Sequence, residues 1–351
     1  MKSYFTKNAS QLIMVALIGL LVIVAPPEIS ANAPLLFAMA VAPFPIQPEL
    51  TAIAIAYRNE EYIADRVFPR VPVGVKTFKY LKYALADRFT IPNTLVGRKG
   101  APNEVEFSAT ETEATAADYG LDDPIPQDDI DQAANTPGAI DPLGDAAEGI
   151  MDLVLLDREK RSADLAFDDT QFATANKITL AANDRWDVVH ADSDPVSDIM
   201  TGIDAVVMRP NIMVIGQKPW RFLRSHTKIA AAIFKSGTTA AIATREQVAA
   251  LFELDEIIVG RAWVNTAKKG QAVTTSRVWG NHCALIRRDS KANTRKGVTF
   301  GFTAQYGGRV AGAMPDAKIG LRGGQRVRAG ETVKEIITAN DLGYFLKTVT
   351  S

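Results

Sequence analysis

DPLGDAAEGIMDLVLLDREKRSADLAFD, running from Asp141 to Asp168, reads as one long helix, and the fold class turns on it. Its start is well marked, because the Asp141 carboxylate can accept from the free amides of a first turn while Pro142 sits where a missing N–H costs nothing. Asp145 and Glu148 offer a second start one turn on, in the manner of a capping box. After that the run holds no proline and mostly good helix formers, so about 27 residues predict a rod of roughly 40 Å. Leu153, Val154, Leu155 and Leu156 point to four sides of such a rod, which requires cover all round, from the chain's own domain or from a neighbour. The run DREKR follows, with Asp157 and Arg161, and Lys160 and Asp164, four apart where opposite charges meet on a helix surface. One reading is a core helix with a solvated end. The other is a spine on which subunits are laid against each other.

Working outward toward the N-terminus, YGLDDPIPQDDIDQAANTPGAI (119–140) is acidic and interrupted by Pro124, Pro126 and Pro137, so it reads as a solvated linker. Asp122, Asp123, Asp128, Asp129 and Asp131 invite a calcium reading, but the alternating ligands and turn glycine of an EF-hand loop are missing. Upstream of it no Lys or Arg occurs from Gly100 to Asp157, while Glu104, Glu106, Glu111, Glu113 and Asp118 alternate with small and apolar residues, a strand pattern. Val75 to Phe89 mixes aromatics with Lys76, Lys79, Lys82 and Arg88 and predicts a strand with a basic face; Asn93, Gly97 and Gly100 break it. The two make a long hairpin with cross-strand pairs of opposite sign and no core of its own, which must lie on something else.

Pro48 to Val73 reads as an arm, with a short helix over Glu49 to Ala56 and an extended run around Pro69 and Pro72. At the start of the chain, Lys2 and Lys7 precede an apolar run from Leu12 to Ala25, followed by Ala31-Asn32-Ala33, the three parts of a secretory signal peptide. The run is too short for a membrane span. Two other readings stand beside the signal: an upstream extension with Met39 as the working start, and a structural arm.

Downstream of the long helix, Lys177 to Ala181 and the turn Ser193-Asp194-Pro195 lead into a compact mixed region. Helices are predicted over Asp198 to Val207, Trp220 to Ser225 and Arg245 to Phe252, and strands over Asn211 to Gly216, Glu256 to Val264 and Val278 to Arg287. From Val298 the chain is strand-like again, VTFGFTAQY, then a glycine-rich turn region, then ETVKEIITA and GYFLKTV, returning to pack beside the helix.

Chemistry is sparse. Charge is balanced, 39 Lys and Arg against 40 Asp and Glu, so no global field argues for nucleic acid as the main ligand. A single cysteine, Cys283, rules out an internal disulfide and a cysteine-rich metal site, and fits a reducing compartment. No G-x-S-x-G, H-E-x-x-H or G-x-x-x-x-G-K-[ST] pattern occurs, and Lys235-Ser236 lacks the glycines that cradle phosphate. His282 and Cys283 are adjacent on a predicted strand and so face opposite ways; His190 and His226 read as a loop and a helix-end residue. The stretch GGRVAGAMPDAKIGLRGGQRVRAG carries Arg309, Lys318, Arg322, Arg326 and Arg328, able to touch phosphate or a partner's carboxylates, and reads as a plain loop. No aromatic interleaves these cations, against a single-strand platform. No cofactor, metal or catalytic residue is expected.

Several stretches together resemble the major capsid proteins of tailed bacteriophages, whose fold is named after phage Hong Kong 97. They are YRNEEYIADRVFPRVPV (57–73), YGLDDPIPQDD (119–129), REKRSADLAFD (158–168), VIGQKPWRFLRSH (214–226), and AALFELDEIIVGRAWVNTA followed by VWGNHCALI. The resemblance implies an α+β capsid fold: an N-arm at 39–74, an E-loop hairpin at 75–118, and a P-domain at 119–197 with its spine helix at 142–168; the hydrophobic extension at 1–38 departs from the family, which does not normally need it. An A-domain at 198–297 and P-domain return strands at 298–351 complete it. It implies a non-enzymatic shell protein of the virion, assembled in the host cytoplasm, whose partners are itself as hexamers and pentamers and packaged double-stranded DNA held without sequence specificity. Portal, scaffold and decoration proteins are further partners it allows, and a membrane is not expected. The expected interface lays Glu104, Glu106, Glu111 and Glu113 of one hairpin against Arg158, Lys160 and Arg161 on a neighbour's spine. Two other classes compete: an envelope protein directed by Lys2 to Ala33, and an enzyme built on the aspartates after Tyr119.

Overall fold

The computed structural model describes residues 44–83, 91–104, 109–188, 190–234, 241–268 and 270–351. The expectations for residues 1–38 and Met39, and those for Arg88, Glu106 and Lys235-Ser236, lie outside the described residues.

In chain order the elements begin with α1 (Pro48–Ala56), α2 (Ala64–Val67), β1 (Arg70–Val73), β2 (Thr77–Tyr83), β3 (Ala109–Thr115) and β4 (Ala117–Pro126). Next come α3 (Gln127–Asn135), α4 (Pro142–Ala166), β5 (Lys177–Thr179), α5 (Pro195–Ala205), β6 (Ile212–Gly216), α6 (Gln217–Ser225), α7 (Thr227–Ile233) and α8 (Arg245–Leu251). The chain ends through β7 (Glu256–Gly260), β8 (Trp263–Asn265), β9 (Thr275–Arg277), β10 (Cys283–Ile286), β11 (Gly301–Asp316), β12 (Gly324–Ile337) and β13 (Gly343–Lys347).

The long helix α4 begins at the first of its two start signals. The Asp141 carboxylate accepts from the Leu143 and Gly144 amides, and Pro142 opens the helix. Its buried positions include Ala147, Ile150, Met151, Val154, Leu155, Arg158, Glu159, Ser162, Ala163 and Ala166, spaced by threes and fours. That is one stripe, so the cover is not all round: Leu153 stands 55 % exposed. The first half of the stripe packs against Leu50 and Ala54 of α1 and against Ala311, Ala313, Val327 and Ala329 of two long strands. Small side chains on the strands let the helix lie close, and each buried Ile, Val, Leu or Met contributes about 1.5–3 kcal/mol.

Those strands belong to a four-stranded sheet ordered β1-β11-β12-β4. Here two expectations are corrected. Residues 119–126 are not a linker but the edge strand β4, and the glycine-rich stretch from 307 is not a loop but most of β11 and the start of β12. The reason is mutual compensation: in register, Asp122 faces Arg328, which grips it with two bonds of 2.6 and 2.7 Å. Read separately, one segment is too acidic and the other too basic to pair; together they form a ladder. Pro124 and Pro126 are tolerated because β4 is an edge.

The second sheet has the order β5-β13-β10-β6-β7 and, apart from the edge strand β5, is buried on both faces. Met213, Ile215, Ile257, Val259, Cys283 and Leu285 face α5 to α8, while Ile212, Val214, Ile258, Ala284 and Ile286 face the far half of α4 with Phe68, Phe172, Trp279 and Phe300. Burial on two sides explains the continuous apolar runs of these strands. The predicted strand over Val278 to Arg287 is shorter than expected, and that over Glu256 to Val264 breaks at Arg261.

Candidate assembly surface

The hairpin formed by β2 and β3 is antiparallel, with Phe78 opposite Ala114, Lys79 opposite Glu113 and Leu81 opposite Glu111. Its outer face carries the charges: Lys79 Nζ binds the Glu111 carboxylate at 3.0 Å, and that bond is what raises the lysine's pKa. Lys76 binds Asp118 at 2.6 Å, so the expected attraction across the ladder is present. The inner face corrects an expectation, since the hairpin does have an apolar foot. Phe78 and Tyr80 are buried with Val71, Phe302 and Ile336. Beyond the foot, residues 91–104 are exposed throughout, with Ile91 91 % and Leu95 83 % accessible beside Arg98 and Lys99. Among the described acids of the expected interface, Glu104, Glu111 and Glu113 are all exposed.

The expected basic counterparts lie in three different settings. Lys160 is half-buried, with its side chain reaching solvent, and pairs with Asp164. Arg161 pairs with Asp157, reaches Glu335 at 3.2 Å and lies 3.6 Å over the Tyr119 ring. Arg158 is 1 % exposed: it binds Asp65 at 2.6 Å and Thr303 Oγ1 at 3.1 Å, with Glu335 3.7 Å away. The structure therefore separates them, and the solvated end expected for DREKR is half buried, because the 3-4 stripe of α4 runs straight through it.

Beside Arg158, Glu159 is fully buried, and it was not singled out from the sequence. Its carboxylate accepts from the Ile63 amide at 2.9 Å, the Ala64 amide at 2.7 Å and the Trp279 indole at 2.6 Å. Burial raises its pKa, against the pull of those three donors. One side chain thus fastens α2 and the loop before β10 to the long helix. Around it, Arg70 bridges Asp65 and the buried Glu331, each at 2.7 Å, and Arg309 adds 3.0 Å bonds to the carbonyls of Ala54 and Tyr57. Burial works to raise the Asp65 pKa, but Arg158 and Arg70 outweigh it and hold the carboxyl below its usual range. The only sequence signal for this network was the phase of the helix.

A second surface lies between β4 and α4, an open groove of about 530 Å³ lined by Leu121, Ile150 and Leu153 with Asp123, Asp129 and Asp145. Among the described residues no three His, Cys, Asp or Glu side chains are arranged to hold a metal ion. His282 packs edge-to-face with Phe167 and tilted against Phe345, while Cys283 is buried on the other face of the sheet. His226 caps α7, accepting from the Lys228 amide. No helix of the described residues is long and apolar enough to cross a membrane.

The pattern of the family described as Phage major capsid protein E matches residues 154–307. The chain is similar to the major capsid protein of Pseudomonas phage JBD67, with 50 % identity over 309 residues, 88 % of this chain and 98 % of the relative. Its fold is similar to that of a phage-related protein from Bordetella bronchiseptica, at a TM-score of 0.67 and 22 % identity over 87 % of this chain and 98 % of that one. The capsid of cyanophage P-SCSP1u gives a TM-score of 0.53 at 10 % identity, over 92 % and 98 %.

Proposed function

Since the chain belongs to the phage major capsid proteins and has their Hong Kong 97-type fold, we propose that its copies close, as hexamers and pentamers, into an icosahedral shell around a double-stranded DNA genome. It is a structural protein of the virion, and the proposed role requires no reaction. In this reading residues 44–74 serve as the N-arm, 75–118 as the E-loop, 119–197 with 298–351 as the P-domain and 198–297 as the A-domain.

The observation that carries the proposal is the hairpin. Its foot is packed on its own subunit while residues 91–104 stand away from it with Ile91 and Leu95 bare. An apolar end of this kind is covered when it lies on another copy. Glu104, Glu111 and Glu113 then face the neighbour's Lys160 and the open edge of Arg161, while the buried Arg158 serves its own subunit. Exposed pairs are worth at most about 1 kcal/mol each, so only several reversals together should matter.

The test is to replace Glu104, Glu111 and Glu113 together with lysine and to image the purified full-length protein for closed particles over a range of salt. Loss of particles or of their salt tolerance is expected, with partial recovery on adding Lys160→Glu and Arg161→Glu. Undiminished assembly in the triple variant would show that the hairpin is held by apolar and backbone contacts instead.

A further inference from the structure

Around β7 the chain gathers arginines that its own carboxylates do not balance. The Ala243 amide donates to the Arg224 carbonyl at 2.9 Å, which lays the end of α6 beside the residues entering α8. Thr244 and Gln247 close a capping box there, fixing Arg245 at the first position of α8. Arg261 follows β7 directly, and Arg277 Nη1 donates to the Arg261 carbonyl at 2.5 Å while its guanidinium lies 3.8 Å over the half-exposed Trp263 ring. Burial, then the charges of Arg261, Arg66 and Arg224, holds the Arg245 guanidinium below its usual range, with only Glu246 opposing. Arg66 is itself paired with Glu256, which Arg288 shares at 3.1 Å. Glu61 is the acid near Arg277. Among the described residues Arg224, Arg245, Arg261 and Arg277 form no ion pair, and the Arg224 Nε is buried without a partner.

We infer that this cluster is a binding surface for the phosphodiester backbone of nucleic acid, which it holds by charge and without reading sequence. Guanidinium forks match phosphate oxygens, and Arg277 is already stiffened by its ring. Four cations without an ion pair, three on separate elements and Arg261 in the turn after β7, fit a partner with charges in series, which duplex DNA offers at about one per 1.7 Å of axis. The chain as a whole is balanced, 39 cations against 40 anions, so the cluster is a local device and no by-product of a basic protein. The inference rests on the shell reading only for bringing DNA to this surface.

The test measures binding of two unrelated duplexes to the full-length protein as salt is raised. Removing two phosphate contacts should lower the slope of log affinity against log salt by about 1.8 in Arg245→Gln with Arg261→Gln. Arg245→Lys with Arg261→Lys should keep it. Arg261 is exposed, so Arg261→Gln alone carries the test if the double variant does not fold, with a slope loss of about 0.9. An unchanged slope overturns the inference, as does a preference of more than about tenfold for one duplex, since a preference of that size requires direct contacts to base edges. Lost particles with unchanged DNA binding also overturn it and assign the cluster to a neighbour's carboxylates. Wild-type protein that binds DNA with this dependence but never closes into particles would instead overturn the shell reading and leave the cluster standing.

Discussion

Replacing Glu159 with alanine should release the N-terminal arm. The carboxylate satisfies three donors, at 2.9 Å from the Ile63 amide, 2.7 Å from the Ala64 amide and 2.6 Å from the Trp279 indole. Each buried donor left without a partner costs about 1–3 kcal/mol. Against that, removing a buried carboxylate relieves its own desolvation, the same effect that raises its pKa. The balance is a loss of about 3–5 kcal/mol, the range seen when one partner of a buried charged network is deleted. Glu159→Gln keeps the shape and one accepting oxygen, so it should lose about 1–2 kcal/mol, roughly one hydrogen bond with its orphaned donor. Urea unfolding of the unassembled chain gives the magnitude, and tryptic cleavage after Arg58 or Arg66 reports whether the arm has come loose. If Glu159→Ala stays within about 1 kcal/mol of wild type and the arm is no more cleavable, the arm is held by Ile63, Val67 and Phe68 in the core and the polar lock is incidental.

Gly216→Ala should prevent folding, because the added Cβ would stand 2.0 Å from the Gly280 carbonyl oxygen, and soluble yield checks it. Gly260→Ala should do the same through the Trp279 ring, 2.1 Å from the added atom. Phe78→Ala should cost about 3–4 kcal/mol of packing at the hairpin's foot and speed hydrogen exchange in β2 and β3 while leaving α4 protected. The pH dependence has a definite sign. Asp65 titrates below its ordinary 3.8, so its contribution is full above 3.8 and is lost as pH falls through the lower folded value. Asp65→Asn should flatten that acid limb of the unfolding midpoint. Glu159 has the opposite sign: its folded pKa lies above the ordinary 4.5, so its term weakens as pH rises from 4.5 through the folded value, and Glu159→Gln should remove that fall.

Local signals were the legible part of the fold. The cap at Asp141, the helix that follows, the opposed charges of the hairpin and the apolar strand at Ile212–Gly216 each declare themselves within a few residues. What stayed hidden depended on partners far along the chain. Asp122 and Arg328 are 206 residues apart, and neither segment looks like a strand until the other is beside it. The same holds for the proposed interface. Arg158 and Lys160 are two residues apart in one charged run, yet one is fully buried and the other has its side chain 43 % accessible, because α4 turns about 100° per residue while the core stays on one side. Composition could not tell them apart, whereas extending the 3-4 stripe from Met151 and Val154 through Arg158 would have.

A single buried residue, Ala116, separates β3 from β4, and its amide still bonds to the Lys76 carbonyl at 2.9 Å. The hairpin is therefore joined to its subunit as a beam built into a wall and not as a hinged flap. A push on residues 91–104 would be carried along β3 into β4, then across the ladder into β12 and the long helix resting on it. If pressure from inside a filled shell loads the tips, the strain falls on whole sheets of neighbouring subunits, where it is shared among many bonds at once.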